Sequence, residues 1–196
     1  MKLFEYKISS TFPDINKKKC IVINTINPHS YVTAKTDHDF RLALLNSDFL
    51  FPDGVGIVMA LYLNGFKVKK IAGYDIFIHY MNVLNNNKKT CFFLGSSNET
   101  LNKIRVKISK DFPNIKFKSY SPPFKKVFSK VDKDIMIKKI NKSEADALFV
   151  GMTAPKQEKW VHENRKLLKV NGILAIEIGT NQYLEVSRLV NNFFNK

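Results

Sequence analysis

Residues 147–160 read Ala147-Leu148-Phe149-Val150-Gly151-Met152-Thr153-Ala154-Pro155-Lys156-Gln157-Glu158-Lys159-Trp160. The first four form a short apolar run that suits a buried strand. From Trp160 onward, Val161, Leu167 and Leu168 fall at spacings that place them on one face of a helix. Pro155 suits the first helical position, where a missing N–H leaves nothing unpaired, and Thr153 ahead of it is a candidate N-cap. The stretch therefore reads as strand, tight turn and helix, with the first N–H groups of the helix turned to solvent or to a ligand. Lys156 and Gln157 lie in that first turn. A cation, an amide and unpaired N–H groups together suit a diphosphate. A plain βα turn that happens to carry a lysine fits the same residues.

The neighbouring stretches repeat this pattern. Thr90 to Leu94 reads as a strong buried strand, followed by Gly95-Ser96-Ser97-Asn98-Glu99. Ser96 and Glu99 have capping-box spacing, which predicts a helix running to about Lys110. Ile115 to Tyr120 reads as a strand, Ser121-Pro122-Pro123 breaks it, and a basic loop leads to a helix over Ile135 to Asn141. Beyond the 155–169 helix come a strand at Ile173 to Ile178 and a short helix within Val186 to Phe194. From residue 90 the order is β-α-β-α-β-α-β, which argues for a parallel sheet with helices on both faces. Ligands of such sheets bind at the carboxyl ends of the strands, near a topological switch point. The loops at Gly95-Ser96 and Gly151–Gln157 are therefore expected on one rim.

The earlier part reads as a small β/α portion. Leu3 to Ile8 alternates as an edge strand or hairpin arm, and Thr11 to Lys19 reads as a loop. Cys20 to Ile26 is a strand, His29 to Leu45 is helical, and Asp48 to Phe51 is a short strand. Val55 to Leu63 is an almost wholly apolar helix, which predicts burial on most sides. Lys67 to Ile71 is a basic connection into a second apolar helix, Tyr74 to Leu84.

The totals bound the class. The chain has 196 residues, enough for one sizeable domain spanning 1–196. Hydrophobic residues make up 44 %, which excludes a disordered chain. Lys and Arg number 32 against 17 Asp and Glu, a net +15 that favours anionic partners: phosphorylated substrates, nucleic acid or the periphery of an anionic membrane. No aromatic-basic RNA-binding motif is visible, so nucleic acid is not an expected partner. Cys20 and Cys91 each open an apolar run and read as free thiols of a reducing compartment. No signal peptide and no membrane-spanning run is visible, so the expected location is cytoplasmic. A homo-oligomer is compatible with all of this.

Asp53 follows the strand ending at Phe51. A carboxylate at a strand exit suits proton abstraction from a hydroxyl, and Pro52-Asp53-Gly54 is equally a common turn sequence. Gly54 and Gly56 permit tight backbone geometry or close approach of a substrate. Thr25 and Asn27 end a strand on the expected rim, suited to a sugar or base, or to turn chemistry. Asp75 suits a ligand contact or the cap of the helix after Gly73. Gly95, Ser96 and Ser97 suit phosphate binding, and a helix cap explains the same residues. His29, His38, His79 and His162 show no metal spacing. Asp37-His38-Asp39 and Asp132-Lys133-Asp134 are expected to be solvated rather than to ligate a metal.

The motifs form an ordered set. Val150 to Trp160 resembles the "VGxGxPKQExW" signature of the WecG/TagA/CpsF glycosyltransferases, glycosyltransferase family 26. Phe51-Pro52-Asp53-Gly54-Val55-Gly56 resembles the family's "PDGxG". Lys70-Ile71-Ala72-Gly73-Tyr74-Asp75 resembles its "RxxGxD", with Lys70 where the family usually carries Arg. Phe92-Phe93-Leu94-Gly95 resembles its "FLLG", and Thr25-Ile26-Asn27 its "TxN". The set spans about residues 20 to 165. The resemblance implies a Rossmann-like α/β fold and an inverting, metal-independent transferase with no cofactor. Such an enzyme moves an N-acetylhexosamine, such as N-acetylmannosamine, from a UDP-sugar donor to a lipid-diphosphate-linked saccharide acceptor, in cell-surface polysaccharide or teichoic acid assembly.

By that resemblance Asp53 is the general base. Thr25, Asn27, Gly54, Lys70, Asp75, Gly95, Ser96, Gly151, Lys156 and Gln157 are the expected substrate-site residues, Lys156 and Gln157 as donor contacts; Glu158 and Trp160 are expected to hold the helix in place, and the family's Glu implies that Glu158 can also line the site. The pattern departs after Ile178: the family's "GxxFDxxxG", its "RAP" motif and its basic membrane-docking tail find no counterpart before Lys196. The alternative reading, from another class, is a non-catalytic nucleotide-sugar or nucleic-acid binding protein.

Overall fold

A computed structural model of the protein describes residues 1–15 and 20–174. The chain opens with a two-stranded antiparallel hairpin, β1 (Lys2–Leu3) and β2 (Tyr6–Lys7). Among the described residues six further strands form one sheet: β3 (Ile21–Ile26), β4 (Phe49–Pro52), β5 (Thr90–Gly95), β6 (Lys116–Tyr120), β7 (Ala147–Gly151) and β8 (Gly172–Leu174). Their spatial order is β4-β3-β8-β7-β5-β6, and every pair is parallel. The chain builds outward from β3 to β4 and, on the other side, from β5 to β6. Strands β7 and β8 then fill the centre. This reversal is the switch point where open parallel sheets bind ligands.

Alternation along the strands divides the core. Cys91 and Phe93 of β5 face one side with Phe149 of β7, against α4 (Gly73–Asn86) and α5 (Asn98–Asp111). Phe92 and Leu94 face the other with Leu148 and Val150, against α6 (Lys130–Ser143) and α7 (Lys156–Asn164). Both faces are covered, so the central strands are apolar throughout. A third cluster joins the hairpin to α1 (Pro28–Thr36), α2 (His38–Leu45) and α3 (Val55–Leu63), along the β4 edge.

Four expectations are corrected here. The 29–45 segment is two helices, because Asp37 ends the first and caps the second through Phe40 N–H at 3.1 Å. Asp37 also pairs with Lys159 at 2.5 Å, and Asp132 accepts from Lys125 and from the Ser129 N–H, so neither aspartate is merely solvated. The cap of α5 is Ser97, which accepts from Thr100 N–H, whereas Ser96 sits in left-handed backbone at φ 62°. Most consequentially, α3 is not buried on most sides. Ile57 and Leu61 are buried, but Val55, Met59, Tyr62 and Leu63 are 60 to 80 % exposed. An apolar sequence marks a helix that avoids water; the described residues supply cover for one face only. The expectations over Asn16–Lys19, and those beyond Leu174 on the end of the last strand, the short helix and the family's missing motifs, lie outside the described residues.

Candidate active site

The β4 exit carries Asp53, the candidate base. The backbone of Asp53 is pinned by its N–H to Ile26 O at 2.9 Å, and Ile71 N–H returns to Pro52 O at 2.9 Å. The carboxylate thus sits where β3, β4 and the 67–71 segment converge. It is neither sealed in nor fully solvated. Burial pushes its pKa above the ordinary carboxylate value; the N–H groups of Gly54 and Gly73 and the charge of Lys70 pull it back, while Asp75 adds to the rise. A carboxylate held up in this way is a stronger base than a free one.

The surrounding residues divide between the site and its scaffold. Gly54 has φ 81°, and a Cβ there would lie 3.1 Å from Pro28 Cδ, so the turn out of β4 packs directly on the start of α1. Asn27 caps α1, accepting from Ser30 N–H at 2.8 Å and the Ser30 hydroxyl at 3.0 Å. Asp75 closes the first turn of α4 by accepting from Ala72 N–H at 2.8 Å. Thr25 pairs in register with Phe51 and is the one β3 residue that is not buried. Lys70 is exposed beside Asp53.

The β7 exit is built differently. Gly95 and Gly151 are register partners, so the two loops leave the sheet side by side. Gly95 has φ 116°, and a Cβ on it would lie 2.3 Å from Gly151 O; this contact requires glycine. Beside Gly151 no atom of the described residues lies within 4 Å of a built Cβ. Pro155 is the N-cap rather than the first helical residue, and Thr153 does not cap by its side chain; its carbonyl instead accepts from Lys156 N–H at 3.0 Å. Gln157 is 1 % exposed, accepts from Met152 N–H at 3.2 Å and donates to Glu158 Oε1 at 2.9 Å. Gln157 and Glu158 thus brace the loop from within. Lys156 donates to Lys125 O and lies 3.8 Å from the centre of the Phe128 ring, and burial lowers its pKa. Ser121 donates to Ser96 O at 2.6 Å, a brace that the Ser-Pro-Pro break in the sequence did not reveal.

Asp53 and Gly151 therefore share a rim but stand three strands apart, a lateral spacing of about 14 Å. Thr25 lies between them. Such a span suits an extended two-part ligand rather than a single small group. Among the described residues no three His, Cys, Asp or Glu side chains gather as a metal site, and no helix is long and apolar enough to cross a membrane.

Comparison with known proteins gives the family. Residues 6–180 match the model of the glycosyl transferase WecG/TagA/CpsF family. The chain is 35 % identical over 154 residues to a Bacillus subtilis N-acetylglucosaminyldiphosphoundecaprenol N-acetyl-beta-D-mannosaminyltransferase, covering 78 % of this chain and 58 % of that protein. It is 32 % identical over 165 residues to the enzyme of that name from Bacillus spizizenii, covering 84 % and 62 %. The Staphylococcus aureus enzyme is 28 % identical over 167 residues, covering 81 % and 63 %. The chain thus spans about three fifths of the length of these relatives. With the motif order, the parallel sheet and these matches in agreement, the chain belongs to the WecG/TagA/CpsF family of glycosyltransferases.

Proposed function

We propose that this protein is an inverting transferase that moves an N-acetylhexosamine of the N-acetylmannosamine type from a UDP-sugar to a hydroxyl of a lipid-diphosphate-linked saccharide, at the cytoplasmic face of the membrane. The observation that carries the reading is Asp53: a half-buried carboxylate with raised pKa, at a strand exit, on the same rim as Gly151. Asp53 takes the proton of the acceptor hydroxyl as its oxygen attacks the anomeric carbon. The bond from that carbon to the diphosphate oxygen breaks, and UDP leaves with the electron pair. Attack opposite the leaving group inverts the anomeric centre.

Lys70 stands where the departing or acceptor diphosphate gathers charge. Backbone at Gly95, Ser96 and Gly151 provides close approach for the donor, while Gln157 and Glu158 keep that backbone in place. Thr25 offers a hydroxyl between the two halves. Lys156 approaches the donor only by leaving the Lys125 carbonyl.

The test is UDP release with lipid-linked N-acetylglucosamine as acceptor across a panel of UDP-sugars. One donor is expected to support turnover, and Asp53→Ala to reduce it about 10²- to 10⁴-fold, the usual range for a lost general base. Absence of turnover with every donor, or an unimpaired Asp53→Ala enzyme, overturns the reading.

A further inference from the structure

The exposed face of α3 has a shape and a position. Val55, Val58, Met59 and Tyr62 fall at i, i+3, i+4 and i+7, one continuous stripe. With Lys67, Val68 and Lys69 they line a groove of about 410 Å³. Val55, Met59 and Tyr62 are 70, 60 and 63 % exposed, although each is apolar or largely so. An exposed contiguous apolar surface of this kind marks a binding site more often than chance.

The ends of the groove are unlike. Gly54 links Asp53 directly to α3, so Val55 marks the reactive end. After α3 the chain turns, with Phe66 N–H on Leu61 O at 3.0 Å, and runs back until Ile71 N–H meets Pro52 O. Lys67, Lys69 and Lys70 ride on this returning segment, Lys70 close enough to Asp53 to depress its pKa. The surface is thus an apolar trough flanked by Lys67 and Lys69, with Val55, two residues along the chain from Asp53, at one end.

We propose that this groove holds the first isoprene units of the acceptor's prenyl chain, with Lys69 and Lys70 meeting the diphosphate that joins chain to sugar. The proposal rests on the transferase reading above. It follows from charge complementarity and from continuity with Asp53: an acceptor hydroxyl placed at Asp53 is tethered through a diphosphate to an apolar chain, which needs an apolar path leading away. The relatives' names specify a diphosphoundecaprenol acceptor, an amphiphile of this chemistry. A flat bilayer has no need of a trough whose one end lies two residues along the chain from the candidate base.

The experiment measures binding of farnesyl diphosphate, inorganic pyrophosphate and UDP to the full chain by calorimetry. Farnesyl diphosphate is expected to bind at least 10-fold tighter than pyrophosphate. Met59→Asp and Tyr62→Asp, both at exposed positions, should each weaken farnesyl diphosphate at least 10-fold while leaving UDP affinity and the thermal midpoint unchanged. Lys69→Glu should weaken both diphosphates and spare UDP.

Equal affinity for farnesyl diphosphate and pyrophosphate overturns the proposal, as does indifference to the α3 variants. Two further results overturn it in favour of another occupant. In one, Met59→Asp abolishes binding to phosphatidylglycerol vesicles but not to farnesyl diphosphate. In the other, it dissolves a dimer seen by sedimentation without affecting farnesyl diphosphate. Loss of UDP binding and turnover with prenyl binding intact would instead sink the transferase reading alone.

Discussion

The exits of β4 and β7 answer the same sequence pattern, a strand followed by a glycine-bearing turn and a helix, in opposite ways. At β7 the polar side chains turn inward. Gln157 and Glu158 are buried and hold the loop backbone, and Lys156 is engaged with Lys125 and Phe128. At β4 the polar groups stay open, with a half-buried Asp53, an exposed Lys70 and an apolar trough beside them. The contrast teaches that a motif's polar residues need not all meet substrate. One exit is stiffened from within; the other keeps a half-buried carboxylate, the proposed base, at some cost in solvation.

That contrast can be broken most severely at Gly95. Replacement by Ala forces a Cβ to 2.3 Å from Gly151 O in a backbone region unfavourable to L side chains. Gly95→Ala is expected to destabilise the fold by roughly 2–4 kcal/mol, read as a fall in the urea midpoint. A smaller effect is expected at Gln157. Gln157→Leu fills the same space but leaves the Met152 N–H without its acceptor, a loss of about 1–3 kcal/mol by chemical denaturation. If Gln157→Leu instead leaves stability untouched and abolishes UDP binding, the two exits are alike after all and Gln157 is a ligand group.

The smallest effect sharpens the β4 side. As the proposed base, Asp53 must be ionised, so the rate should fall as pH drops through its pKa, and that limb should lie above the ordinary carboxylate value of about 3.9. Lys70 lowers this pKa. Lys70→Ala removes the lowering charge and should move the acidic limb of kcat/KM to higher pH. A limb that moves the other way, or stays fixed, separates Lys70 from Asp53.

The parallel sheet was legible because fully buried strands such as Ala147–Val150 and Thr90–Leu94 carry unbroken apolar runs and alternate with helical stretches. Boundaries were less so. Ser96 and Ser97 are both competent caps, and the backbone chose Ser97 because Ser96 is needed at the left-handed turn out of β5. The exposure of α3 was illegible for a simpler reason: sequence shows how apolar a helix is, but not how many neighbours the fold places around it.

By itself, then, the amino-acid order determined the alternating α/β elements, the family and the short set of residues at strand ends. These depend on local periodicity and on residue types at close spacing. Tertiary structure alone decided which of those residues face solvent and which turn inward, how far apart the two exits stand, and that the described residues leave one apolar side of α3 uncovered. Those outcomes depend on strand order, and strand order is set by packing between segments far apart in the chain.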